Sequence, residues 1–336
     1  MPRSEITIDL AALRRNVARL LDVLGGAELW AVVKADGYGH GAADVARAAT
    51  DAGAAAVCVA TVAEGLSLRH VLPGRRILVL GPTDEVREAR DAGLELVVAQ
   101  APIPEDLPVH VKLDTGMGRY GFLELPPLPP NVVGLMTHLA TADRDELFAR
   151  EQLERFRAAT AGSGVTLHAA NSAAALRLPE ARLDAARCGV AVYGLSPFGA
   201  DPADDGLEPV LFWRSELAQV KQLEPGESTG YGRTFVAERP AWIGIVPVGY
   251  ADGFRRDLTG TEVLVDGERR RAVGTVSMDS FAVELPGELP VGTPVTLIGD
   301  GVLAEEHARV AGTINYELTT ALRANPDRST RAVLDA

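Results

Sequence analysis

A (β/α)8 barrel of the TIM type with a C-terminal mostly-β domain is the fold this sequence predicts, and three observations predict it. Eight short apolar, β-branched runs recur through the first two thirds of the 336 residues, several of them separated by helical patterns such as GHGAADVARAATDAG and TVAEGLSLRHVL. Such runs alternating with helices belong to a parallel sheet covered on both faces, and eight of them favour a closed barrel over an open sheet. From about Pro225 the texture changes to short alternating strands with turn signals, which reads as an all-β domain. With the strands so placed, polar residues collect at their carboxyl ends, the active-site face of a parallel barrel.

The chain opens with MPRSEITIDLAALRRN, which passes straight into an amphipathic helical pattern with no apolar signal core. The candidate barrel strands are Leu29 to Lys34, Ala55 to Ala60, Ile77 to Leu80, Leu94 to Val98, Val109 to Leu113, Val132 to Thr137, Val165 to Ala169 and, most weakly, Leu183 to Cys188. Two crossovers are eroded. Residues 99–108 contain Pro102, Pro104 and Pro108, and residues 120–131 contain Pro126, Pro127, Pro129 and Pro130, so neither stretch holds a full helix. The barrel is therefore expected to be thinly covered around its fourth to sixth strands. In the β domain the strand signals are WIGIVPV, TEVLVDGERRRAVGTV with its turn at Asp266-Gly267, and SFAVELPGELPVGTPVTLIG; the helical stretch LAEEHARVAGTINYELTTALRAN closes the chain. We assign residues 8–225 to the barrel and 226–336 to the β domain, with residues 1–7 a candidate addition to the latter.

Composition narrows the function. With 33 Lys+Arg against 46 Asp+Glu the formal charge is −13, and the longest basic run is Arg269-Arg270-Arg271. A nucleic-acid backbone is not the partner such a chain seeks. Cys58 and Cys188 stand alone, without metal-ligand spacing or a disulfide framework, so no metal is expected and a reducing, cytoplasmic setting is. No run is long enough to span a bilayer. A small-molecule site fits best.

The polar residues at the strand ends are Lys34, Lys112, Thr137 with His138, Asn171 with Ser172, and Arg187. A lysine in an apolar barrel mouth has its pKa depressed by desolvation, and its amine can then form a Schiff base. The ordinary reading of Lys34 is an ammonium that reaches solvent at the rim. The turn Gly37-Tyr38-Gly39-His40-Gly41-Ala42 also fits the G-x-G-x-x-A dinucleotide fingerprint, which would make a nicotinamide dehydrogenase, but no acidic residue ends the next strand. Ser172 is equally a helix N-cap opening SAAALRL. A lone His138 after a strand is most often a satisfied core residue.

The segment AVVKADGYGHG resembles the pyridoxal-phosphate lysine motif of alanine racemases. The resemblance continues in order through VHVKLDTGMGRYG, GLMTHLATAD, HAANSAA, RCGVAVYGL, VPVGYADG, VSMDS and NYEL, nearly the whole chain. It implies a barrel plus β domain, a head-to-tail homodimer with shared active sites, and interconversion of L- and D-alanine by two bases, supplying D-alanine for peptidoglycan. Lys34 would hold pyridoxal phosphate and serve as one base; Tyr250, from the other subunit, would be the second. Tyr38, Ser172, the backbone of Gly189 and Val190, and Tyr316 correspond to the phosphate cradle, with Asn171 beside them. Arg187 corresponds to the partner of the pyridine nitrogen, and His138 to the residue that hydrogen-bonds this arginine. An always-protonated arginine there leaves the ring nitrogen unprotonated and the ring a poorer electron sink. Lys112 corresponds to a carbamylated lysine that orients Arg119, which holds the substrate carboxylate together with the backbone near Met278. The alternatives are a broader small-amino-acid (serine) racemase and a barrel that binds pyridoxal phosphate without turnover, although relatives of that kind lack a β domain. Two departures stand out. Proline-rich links replace the helices usual on either side of KLDTGMGR, and Gly230-Tyr231-Gly232-Arg233-Thr234-Phe235 replaces a Ser-Tyr-Gly-x-Thr-aromatic pattern.

Overall fold

The computed structural model describes residues 3–322 and 327–335. The chain divides into two compact units, one holding Ala12–Phe198 with Ala203–Glu208, the other the chain before Ala12, Gly199–Pro202 and everything from Pro209.

After strand β1 (Ser4–Asp9), which belongs to the second unit, come the eight barrel strands: β2 (Glu28–Val32), β3 (Ala56–Val59), β4 (Arg76–Val79), β5 (Glu95–Val98), β6 (Val109–Lys112), β7 (Val132–Met136), β8 (Thr166–His168) and β9 (Ala185–Cys188). Each pairs in parallel with the next, and β9 closes on β2 with Glu28 opposite Ala185. Even the weakest apolar run is thus a strand, and it is the one that shuts the barrel. The helix Leu10–Leu24 places Leu13, Val17, Leu20 and Leu24 on one buried face, the spacing that a 3.6-residue turn requires. Thr61 and Glu64 form a capping box that starts Val62–Arg69, and Asp145 caps Glu146–Thr160.

Between β5 and β6, and again between β6 and β7, the described chain contains no helix. The prolines remove the N–H donors a helix needs. The bare links are tied to each other instead: Asn131 Nδ2 donates to Pro104 O (2.8 Å) and Leu107 O (2.6 Å).

The second unit is built on a nine-stranded sheet. Its strands, besides β1, are β10 (Leu211–Glu216), β11 (Gln219–Leu223), β14 (Ala241–Val246), β15 (Glu262–Val265), β16 (Glu268–Val273), β17 (Phe281–Leu285), β18 (Pro294–Ile298) and β19 (Ser329–Leu334); β12 (Ser228–Thr229) and β13 (Phe235–Val236) form a separate pair. Strand order is β11-β14-β17-β16-β15-β18-β10-β1-β19. The Asp266-Gly267 turn joins β15 to β16 with φ of 52° and 80°, the pair of left-handed residues that a two-residue hairpin favours.

Three expectations need correction. The division falls near Pro209 rather than at 225, because β10 pairs with β1 and β18, and β11 with β14. The closing helical stretch is two helices, Ala304–Ala311 and Asn315–Ala321, separated at Gly312 (φ 64°), and its last residues, 323–325, lie outside the described residues. The chain ends on β19, a strand that pairs in parallel with β1.

Candidate active site

Strand β2 stops at Val32, and Lys34 stands at the head of a turn rather than at the strand's last position. The next four residues, Ala35, Asp36, Gly37 and Tyr38, have φ of 52°, 51°, 62° and 54°, so the chain makes a left-handed helical turn. For an L-residue this conformation costs roughly 1–2 kcal/mol, and only Gly37 escapes it. Hydrogen bonds hold the turn. The Gly37 N–H donates to Val33 O (2.9 Å) and the Gly39 N–H to Ala35 O (3.1 Å). Glu64 Oε1 accepts from the Ala35 N–H and Asp36 Oδ1 from the Ala42 N–H, each at 2.8 Å. The G-x-G-x-x-A match is therefore a left-handed turn and not a strand-to-helix phosphate loop. Lys34 is left half-buried, and burial, then Arg119, lower the pKa of its amine against the opposing pull of Glu64. More of the amine is neutral and nucleophilic than on a free lysine.

Asn171, not Ser172, caps the helix Ser172–Arg177, its Oδ1 accepting from the Ala174 N–H at 3.0 Å. Ser172 Oγ is thereby turned to the neighbouring strand end, where it accepts from the N–H groups of Gly189 (3.0 Å) and Ala191 (3.3 Å). A Cβ on Gly189 would lie 2.5 Å from the Tyr38 hydroxyl oxygen, so the phenol packs directly on the bare Cα at the head of the turn Val190–Tyr193. The structure thus brings Tyr38 and Ser172 together on Gly189, with Val190 next in the chain and Asn171 supporting Ser172 as the cap.

Arg187 is 4% exposed on β9. Its Nη1 donates to His168 Nδ1 (2.8 Å) and His168 O (2.9 Å), and its Nη2 to Thr137 O (2.8 Å) and Ala169 O (3.2 Å). His138, the expected partner, lies in hydrogen-bond contact with the arginine, Nδ1 to Nη2 at 3.4 Å, and His168 adds a second, shorter bond that the sequence reading did not include. The register explains why: His168 lies opposite Met136, two residues deeper in the barrel than His138, at the level where the guanidinium enters. Burial, then Arg187, Lys112, Arg119 and Lys34, push the His138 imidazole down to about 3 and keep it neutral. Burial lowers Arg187 to about 10, still protonated at neutral pH.

Lys112 ends β6 and is 5% exposed. Burial, followed by Arg119 and Arg187, pushes its amine down to about 8. The Tyr120 ring lies 5.8 Å from Lys112 Nζ and 6.0 Å from Arg119 Cζ. The loop carrying Arg119 is held by Asp114, whose carboxylate accepts from the backbone N–H groups of Gly116, Met117, Gly118 and Arg119. Against its partial burial, those four bonds keep the Asp114 carboxyl below its usual range. The rim thus gathers Lys34, Lys112, Arg119 and Arg187, a setting that asks for an anionic ligand.

Tyr250, Met278 and Tyr316 belong to the β unit. The loops bearing Tyr250 and Met278 are zipped backbone to backbone: the Tyr250 N–H donates to Ser277 O (3.1 Å) and the Ala251 N–H to Met278 O (3.0 Å). The approach is possible because Gly249 has no side chain; a Cβ there would lie 2.3 Å from Ser277 O. Asp252 anchors the loop, accepting from the Gly249 N–H (2.9 Å) and from Arg328 Nε (2.6 Å) and Nη2 (2.9 Å). Tyr250 is 43% exposed and shares an open groove with Arg255 and Arg256. Tyr316 sits half-buried in the first turn of Asn315–Ala321.

Sequence reasoning missed His168 and Glu64. The alternation T-L-H on β8 carried a signal for the first, since it turns Thr166 and His168 to one face. The T-x-x-E spacing from Thr61 to Glu64 carried a signal for a capping box, but the bond from Ala35 N–H to Glu64 spans 29 positions and carried none.

Two family profiles match the chain: "Alanine racemase, N-terminal domain" over residues 8–197 and "Alanine racemase, C-terminal domain" over residues 210–330. The chain is 39% identical to the alanine racemase of Lactiplantibacillus plantarum, with 95% of each protein covered. Among solved structures, the biosynthetic alanine racemase of Pseudomonas aeruginosa is similar with a TM-score of 0.92 at 36% identity, covering 100% of both chains. An alanine racemase from Bacillus anthracis, solved with bound L-Ala-P, has a TM-score of 0.87 at 33% identity and covers 100% of this chain and 96% of its own.

Proposed function

The chain belongs to the alanine racemase family of isomerases, and from that premise we propose that it interconverts L- and D-alanine with pyridoxal phosphate carried on Lys34. The reading is carried by one barrel rim on which three features meet: a lysine amine of lowered pKa, a buried guanidinium bonded to carbonyls and imidazole nitrogens, and a cradle of Ser172 with the Gly189 peptide. These are complements of an aldehyde, a ring nitrogen and a phosphate. The cradle is a tight fit, since a Cβ at Gly189 would displace Tyr38 from it. Bound there, pyridoxal phosphate supplies an electron-accepting ring that makes the substrate's α-proton acidic.

Racemisation needs a base on each face of the α-carbon. Lys34 would take or return the proton on one face through its neutral amine. Tyr250 does so on the other, contributed in a head-to-tail homodimer by the second subunit. Arg187 would face the ring nitrogen as a donor and disfavour its protonation, which would limit side reactions. Tyr316, Tyr38 and Ser172 would hold the phosphate, and His138 would support Arg187 as a neutral imidazole. Lys112, as the neutral amine, adds carbon dioxide with loss of one proton, and the resulting carbamate holds Arg119 toward the substrate carboxylate, which the backbone near Met278 also receives. The C-terminal match over residues 210–330 separates this chain from barrels that bind the cofactor without a β domain. We place the activity in the cytoplasm, consistent with the two buried free cysteines, as a source of D-alanine for peptidoglycan.

The test is subunit mixing. Lys34→Ala and Tyr250→Phe proteins are each expected to be inactive. After subunit exchange, chiral analysis of alanine incubated in D₂O should show activity return to about a quarter of wild type, because one site in each mixed two-fold dimer receives both intact bases. No recovery despite proven exchange would rule out the shared site. A second expectation concerns the cradle. Gly189→Ala should cost about 1–3 kcal/mol by overpacking against Tyr38 and weaken cofactor affinity, read by thermal unfolding with and without pyridoxal phosphate.

A further inference from the structure

The barrel interior is polar below Arg187. It holds a series of polar side chains that crosses from the carboxyl to the amino ends of the strands. His168 Nε2 lies 2.9 Å from His110 Nδ1, and His110 Nε2 lies 2.9 Å from Glu95 Oε2. Glu95, at the first position of β5, is gripped by Arg76, at the first position of β4, with Nε to Oε1 at 3.1 Å and Nη2 to Oε2 at 3.2 Å. Both imidazoles are fully buried against the Trp30 ring, whose centroid lies 4.5 Å from that of His168 and 5.5 Å from that of His110. The wall is cut to admit one of them: a Cβ on Gly134 would lie 2.1 Å from His110 Nδ1.

Counting donors leaves one arrangement. Arg187 only donates, so His168 Nδ1 accepts and the His168 proton sits on Nε2. That proton goes to His110 Nδ1, so the His110 proton sits on Nε2 as well and goes to Glu95. A carboxylate only accepts, and the ion pair with Arg76 keeps it ionised. Burial opposes charging either ring.

We propose that Glu95, acting through His110 and His168, is a positioning residue for racemisation: it fixes both imidazoles as Nε2–H tautomers and so keeps His168 Nδ1 open to receive Arg187. Arg187 is thereby aimed without a carboxylate touching it, and its full positive charge stays available at the rim. The inference rests on the reading that Arg187 faces the cofactor's ring nitrogen.

Glu95→Gln tests it, because glutamine is of the same shape but can also donate. A glutamine N–H toward His110 Nε2 would reverse the series, put a proton on His168 Nδ1 and set it against the arginine's own N–H groups. Two-bond ¹H–¹⁵N spectra of the ¹⁵N-labelled wild-type protein, with and without pyridoxal phosphate, should show neutral Nε2–H tautomers for His110 and His168. In Glu95→Gln a population of the other tautomer should appear. The loaded variant should lose about tenfold in kcat, the scale of one disturbed hydrogen bond to a charged group, with KM changed by less than about twofold, and its bound-cofactor absorbance band should shift. An Nδ1–H tautomer or an imidazolium at either ring of the wild type overturns the proposal. So does a variant that only melts earlier while kcat and the absorbance band stay put. The tautomer result does not depend on the cofactor reading, which fails separately if Arg187 variants bind pyridoxal phosphate with an unaltered spectrum.

Discussion

Lys34→Ala is expected to abolish both racemisation and the near-visible absorbance of the bound cofactor. Loss of a positioned proton-transfer group costs up to about 10⁴-fold, and here the covalent anchor goes with it, so the fall should reach or exceed that figure. The sequence makes the test unusually clean, since it holds only three lysines, Lys34, Lys112 and Lys221. Lys221 lies exposed on β11 in the β unit, and Lys112 is the one other lysine at the rim. The measurement is an absorbance scan before and after borohydride reduction, paired with chiral analysis. A variant that keeps a borohydride-sensitive band would move the attachment to Lys112.

Arg187→Glu should change the choice of reaction. A carboxylate partner favours a protonated ring nitrogen where a guanidinium disfavours it. The surroundings sharpen the effect: Thr137 O, His168 O, Ala169 O and His168 Nδ1 all accept from Arg187, so a carboxylate placed among them is short of donors. A protonated ring nitrogen supplies one. The ring then accepts electrons more readily, and a new long-wavelength band and slow formation of pyruvate from alanine should appear. Racemisation should fall roughly 10²–10³-fold, the scale of losing one preorganised electrostatic contact. Arg187→Lys, which keeps the cation, should show neither the band nor the pyruvate. A folded, cofactor-loaded Arg187→Glu protein with unchanged racemisation and no new band would make Arg187 a structural cation.

The barrel was legible because each strand announces itself locally. The runs from Leu29 to Cys188 are apolar enough that their pairing partners need not be known. What was not legible depended on register between elements distant in sequence. His138 and His168 are indistinguishable as candidate partners of Arg187 until the alignment of β7 with β8 is fixed. Asn171 and Ser172 each qualify as a cap, and the choice turns on the extended backbone of Asn171 (φ −92°, ψ −173°), which frees Ser172 for the cradle. Strand β19 carries a charged residue and follows a helical pattern, and only its partner β1 makes it a strand. The boundary misplaced at 225 has the same origin, for β10 and β11 are claimed by strands on either side of them in the sheet. Motifs placed residues near one another; geometry decided which atoms met.

The left-handed turn after Lys34 also bears on the order in which the protein comes together. Local preference in Ala35, Asp36 and Tyr38 points to the opposite hand, so this segment has no tendency to adopt its final shape as it leaves the ribosome. Its stabilising partner Glu64 is synthesised 29 residues later and is itself positioned by a capping box on the far side of β3. The turn therefore has to be set after β2, β3 and the following helix have docked, a non-local step late in the assembly of this corner. In the role proposed above, Lys34 would become a competent attachment point only at that moment, and cofactor capture would report on a completed fold.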